Sequence, residues 1–113
     1  MKDRTLGLAL LAMAATGAAR AAAPQADGEG IYRHWCAHCH SAGRGNPGTE
    51  SLQVKYKGER PAVLLERTDL APQAVAVFVR QGVLSMAPFR KTEITDAELD
   101  ALSAYVARGF AAR

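Results

Sequence analysis

Apolar positions along this chain fall into two patterns. From Leu6 to Ala19 every residue is apolar or small, whereas beyond Asp27 apolar residues recur at helical spacing between clusters of glycine and proline. The early run follows a short, net positive start, Met1-Lys2-Asp3-Arg4, and leads into an alanine-rich stretch with small-x-small sites ending at Ala21 and Ala23. That is the pattern of a secretory signal peptide. Its apolar run of about 14 residues falls short of the roughly 20 that a membrane-spanning helix needs. A leader over residues 1–21 is therefore expected, cleaved after Ala21 or Ala23, with no stable membrane insertion afterwards.

Residues 26–110 then read as one domain. The first helix is expected to start at Asp27, which can cap the turn at Gly28, Glu29 and Gly30, and to run through Ile31, Tyr32 and Trp35 into Cys36, Cys39 and His40. Ser41 to Thr49 holds three glycines and a proline, which predicts an irregular loop with its backbone close to a bulky group. It lacks the Gly-Lys-Ser/Thr ending of a phosphate loop. Pro61 suits the first position of a short helix to Glu66, with Val63, Leu64 and Leu65 as its apolar surface. Pro72 opens another, in which Val75, Phe78 and Val79 share a face and Gly82 can terminate the helix. The last helix has the clearest start: Thr95-Asp96-Ala97-Glu98 is a capping box, with Ile94 before it placed to staple against Leu99. Leu99, Leu102 and Val106 share a face, Tyr105 lies beside Leu102, and Gly109 is the stop. No segment alternates apolar and polar residues over a useful length, so the fold class is all-α.

Charge and cysteine content change this picture in two ways. The 113-residue chain carries a formal net charge of +3, and loss of the leader removes Lys2, Arg4 and Arg20 together with Asp3, leaving +1. No basic stripe survives to neutralise phosphates, which argues against a nucleic-acid partner. Export also implies an oxidising compartment, where the two cysteines can form a disulfide. A domain of this size buries a limited core, and so short a disulfide loop adds little stabilisation. Something else should fill the interior.

The stretch WCAHCH, residues 35–40, supplies the candidate. Cys36-Ala37-His38-Cys39-His40 matches Cys-x-x-Cys-His, the attachment pattern of one covalent c-type haem. The thiols of Cys36 and Cys39 would each bond a vinyl group, leaving His40 as an axial ligand of the iron. Three alternatives compete. A thioredoxin-like redox pair wants the motif at a helix start after a strand. A zinc site needs four ligands, for which His34 and His38 are the other donors. A plain disulfide leaves His40 without a role. For the second axial ligand the chain beyond its leader offers one methionine, Met86, 46 residues after His40 in the loop LSMAPFRK. His34 and His38 sit beside the attachment site and read as exposed side chains. The Pro47 carbonyl is the expected acceptor for the second ring nitrogen of His40. Leu52, Leu64, Val75, Phe78, Val79 and Leu99 read as haem contacts or general core, and Tyr56, Lys57 and Arg60 as candidates for the haem propionates.

With Gly28, Tyr32, CAHCH, Pro47, Met86, Leu102 and Tyr105 in place, the chain resembles the class I c-type cytochromes from Gly28 to Val106. The resemblance implies a small helical domain wrapped around one haem, in which the first and last helices cross at Gly28 with Tyr105 and Leu102 close by. Over GNPGTESLQVKYKGERPAVLLERTDL and VRQGVLSMAPFRKTEITDAELDALSAYVAR it is similar, more narrowly, to the cytochrome subunits of p-cresol methylhydroxylase-type flavocytochromes. In that group a flavoprotein dehydrogenase oxidises a phenolic substrate and passes electrons singly to the cytochrome. Ala87 departs from the commonest family pattern, in which proline follows the methionine directly. The function implied is periplasmic one-electron transfer by a His/Met-ligated haem, between a flavoprotein and a downstream acceptor, with no catalytic activity of its own. A freely diffusing carrier, and a haem enzyme or gas sensor with a displaceable methionine, are the alternatives.

Overall fold

Asp27 opens the first helix as its side chain predicts, its carboxylate accepting the Glu29 amide at 3.1 Å. In the computed structural model, which describes residues 25–112, this is α1 (Gly28–Trp35). The expected leader, with Ala21 and Ala23, lies outside the described residues. The helix does not run through the cysteines. It closes at Cys36, whose φ of −111° departs from helical geometry, and a single turn, α2 (Ala37–His40), follows. This step separates the thiols: Cys36 is buried and Cys39 exposed.

Ser41 to Thr49 is a loop only as far as Asn46. There the side chain of Asn46 donates to the carbonyls of Ala42 and Gly43 at 3.0 and 3.2 Å, and α3 (Pro47–Tyr56) begins. Pro47 stands at the first helical position, where an amide hydrogen would have had no partner in the helix. Thr49, expected in the loop, is fully buried in α3, with its hydroxyl donating to the Ser41 carbonyl at 2.8 Å. Pro61 does not start a helix: Val63 is extended, and only Leu64–Glu66 turns, as a 3-10 helix that buries Leu65. The 61–66 expectation shortens to that turn.

The remaining elements follow the sequence closely. α4 (Pro72–Gln81) buries Val75 and Val79 and ends at Gly82. α5 (Asp96–Arg108) has the full capping box between Thr95 and Glu98 and ends at Gly109, which begins a 3-10 turn over Gly109–Ala112. Ile94 and Leu99, either side of that box, are both buried. Helices α1 and α4 both pack on α5, and the core gathers Tyr32, Cys36, Leu65, Leu102, Tyr105 and Val106 between them. Gly28 makes the α1 crossing close. A Cβ there would overlap the Ala101 carbonyl oxygen and lie 2.9 Å from the Tyr105 Cβ. Among the described residues the fold is all-α, the one strand-like pairing being a bridge between Val83 and Met86. No described helix is long and apolar enough to cross a membrane.

Candidate functional site

Around α5 the helices leave a cleft of about 780 Å³, open mouth included, whose walls are almost entirely apolar. Cys36 and His40 line it, as do Val75, Phe78 and Val79 from α4, and Leu102 and Val106 from α5. Leu52, Leu64 and Met86 line it as well. Leu99 does not: it is buried in the core away from the lining. Among the apolar expectations it is the one that belongs to the core alone.

His40 is partly buried, and burial lowers its pKa, which favours the neutral imidazole that binds a metal. Its Nδ1 is buried and has no hydrogen-bond partner, so the bond expected to the Pro47 carbonyl is not made. The ring lies instead on Gly48, where a Cβ would stand 2.7 Å from His40 Cε1 and 2.9 Å from Nδ1. The Tyr32 hydroxyl donates to the His40 carbonyl at 3.3 Å and fixes the backbone that carries the ring. Beside it, the Cys36 thiol is pushed up to about 11, by burial first and by the charge of Cys39 second.

Met86 reaches the cleft through a tight turn. Val83 and Met86 exchange backbone hydrogen bonds of 3.0 and 2.9 Å, and Gly82, at φ 69°, leaves no room for a side chain: a Cβ would lie 2.5 Å from the Met86 carbonyl oxygen. Leu84 at the turn's tip has φ 53° and is 97% exposed. The chain returns to α4 where the Phe89 amide bonds the Val79 carbonyl at 2.8 Å.

One edge of the cleft is polar, lined by Lys55, Tyr56 and Arg67. Of the residues proposed for the propionates, Tyr56 lines the cleft, whereas Lys57 and Arg60 do not. Arg67, which sequence reasoning passed over, is buried and forks onto Asp69 at 2.5 and 2.6 Å while its Nη1 donates to the Tyr56 hydroxyl at 2.9 Å. That fork holds the Asp69 carboxyl down to about 2. Arg60 stacks over the Tyr56 ring from outside. His34 and His38 are exposed, His34 edge-on to Trp35 with centroids 4.7 Å apart.

The donor set suits the group that the motif implies. The Cys36 thiol, an imidazole and a thioether meet around an apolar space with one cationic edge, and the exposed Cys39 stands one turn along α2 from Cys36. Among the described residues no group of three or more His, Cys, Asp or Glu side chains could hold a metal ion, so the zinc alternative lacks its cage. A family model described as cytochrome C oxidase, cbb3-type, subunit III matches residues 23–106. No curated protein and no solved structure matches the chain. The match supports the class I c-type reading, and the narrower flavocytochrome resemblance finds no support in these comparisons.

Proposed function

The chain belongs to the family described as cytochrome C oxidase, cbb3-type, subunit III, and from that premise we propose that Cys36 and Cys39 carry its haem c while His40 and Met86 bind the iron. Membership makes it an electron-transfer protein with covalently bound haem c that works with redox partners. The convergence of Cys36, His40 and Met86 on one apolar cleft carries the assignment to residues. Bound there, the haem supplies one reversible electron through its iron.

The residues divide the remaining work. Cys36 and Cys39 anchor the group from the buried and the exposed side of the α1–α2 step. His40, kept neutral by burial, offers a ring nitrogen to the iron, and the Met86 thioether favours the reduced state. With His40 and Met86 both holding the iron, the group would have no open position for a substrate. Val75, Val79, Leu102 and Val106 would keep water from the ring, and Lys55, Tyr56 and Arg67, which line the polar edge, would receive the acidic side chains of the haem.

The wider setting is part of the same proposal. Residues 1–21 are a cleaved leader, residues 26–110 are the cytochrome domain, and the protein works in the periplasm. A flavoprotein dehydrogenase is the proposed electron donor, supported by the two long stretches of resemblance, and a further redox protein takes the electron onward. Met86→Ala tests the ligand set: it should bind carbon monoxide when reduced and show a lower potential, whereas His38→Ala should change neither. Loss of the low-spin spectrum in His38→Ala would overturn the assignment.

A further inference from the structure

Trp35, the last residue of α1 and the neighbour of Cys36, meets Phe89 edge-to-face, with ring centroids 5.6 Å apart and planes at 74°. Neither ring lines the cleft. Phe89 lies three residues beyond Met86, and its backbone is already tied to α4. Its amide bonds the Val79 carbonyl, and its carbonyl accepts Arg80 Nη1 at 3.1 Å, with Arg80 Nη2 reaching Asp96 at the start of α5 at 2.9 Å. Those bonds hold the Met86 turn to the α4 wall of the cleft. The attachment motif stands at the end of α1. A thioether that must stay at a fixed distance from a ring anchored at Cys36 therefore needs a tie between the turn and α1, and the ring pair is placed to supply it.

We propose that Trp35 and Phe89 form a clasp that holds the Met86 turn closed against the attachment helix, which makes Trp35 a positioning residue for the thioether ligand. The proposal rests on the reading of Met86 as a ligand. Trp35 acts through Phe89, not on the iron. Releasing the clasp leaves the turn its backbone bonds to α4 but removes its aromatic tie to α1, so an added ligand competes more easily with Met86.

Cyanide binding to the oxidised holoprotein reads this competition, and the thioether-to-iron(III) charge-transfer band reads Met86 directly. Trp35→Ala should weaken the band and tighten cyanide binding about two- to twelve-fold, the range an aromatic pair of this kind sets. Trp35→Phe, which keeps a ring, should restore both. Phe89→Ala should match Trp35→Ala, and the double variant should add little to either, because both remove one contact. Leu99→Val, a core change away from the cleft lining, should lower thermal stability and leave band and cyanide affinity alone. The clasp is overturned if Trp35→Ala binds cyanide as the unaltered protein does, or if Leu99→Val tightens it equally. The ligand reading fails separately, if Met86→Ala keeps the band.

Discussion

Asp69 shows at the scale of single residues what the cleft needs and the sequence conceals. Arg67 is 6% exposed, and a guanidinium so enclosed requires an acceptor; Asp69 supplies both oxygens from two positions along. The hydrogen bonds from Arg67 come first among the causes that hold Asp69 down to about 2 from an ordinary 3.8, with the Arg60 charge the last contributor. A carboxyl with a depressed folded pKa stabilises the fold above its unfolded value and loses that contribution as pH falls through the folded one. Asp69→Asn should thus lower the urea midpoint at pH 6, and the gap to the unaltered protein should close as the pH falls from about 4 to about 2. A gap that persists unchanged at pH 2 would show that Asp69 acts by shape instead of charge. Nothing in the run Glu66-Arg67-Thr68-Asp69 separates a buried arginine from a solvated one. Only the fold, by setting Tyr56 against Arg67, makes the distinction.

At the scale of elements, legibility tracked how local the determinants are. The start of α5 is written in four consecutive residues, and the Thr95–Glu98 box forms as read, because both of its partners lie within one turn. Helix α4 was equally legible from Pro72, Gly82 and a one-sided apolar face. Helix α3 was not, because PGTESLQVKY buries only Thr49 and carries no apolar stripe. Gly43 and Gly45 before it point to a loop, and Gly48 inside it serves another end, since it leaves room for the His40 ring. The Met86 turn could be assigned a role from the sequence, but its Val83 bridge and its tie to α4 depend on tertiary contact. The α1–α5 crossing tests how strictly one residue sets an element's position. Gly28→Ala places a methyl group against backbone at Ala101, which can yield only by moving the helix, so a loss of about 1–3 kcal/mol in unfolding free energy is expected. Tyr32 and Cys36 sit on the helix that must shift, so the haem absorption of Gly28→Ala should change along with its melting temperature. A variant as stable as the original would mean that the crossing is looser than its geometry.

For the whole molecule, the question is where an electron enters and what holds the donor there. Leu84 is the most exposed large apolar side chain described, at the tip of the turn that carries Met86, with Val83 and Phe78 partly exposed nearby in the sequence and on the cleft. A leucine at φ 53° is disfavoured by about 1–2 kcal/mol, so a turn that keeps one there holds an apolar tip at the mouth of the site against local preference. With a net charge of only +1 if the proposed leader is removed, long-range attraction contributes little to docking, and salt should weaken it only slightly. If the proposed flavoprotein donor docks on this tip, haem and flavin absorbance in a native extract should elute together on size exclusion at low ionic strength and stay together when salt is raised. Leu84→Asp puts a charge on the contact and should release the haem as a small species with its spectrum intact, since Leu84 is exposed and does not line the cleft. If haem elutes alone from the unaltered extract as well, the flavoprotein is not a permanent partner. The apolar tip then serves brief encounters of a diffusing carrier, and Leu84→Asp should lower the second-order rate of electron transfer with its redox partners and leave the potential unchanged.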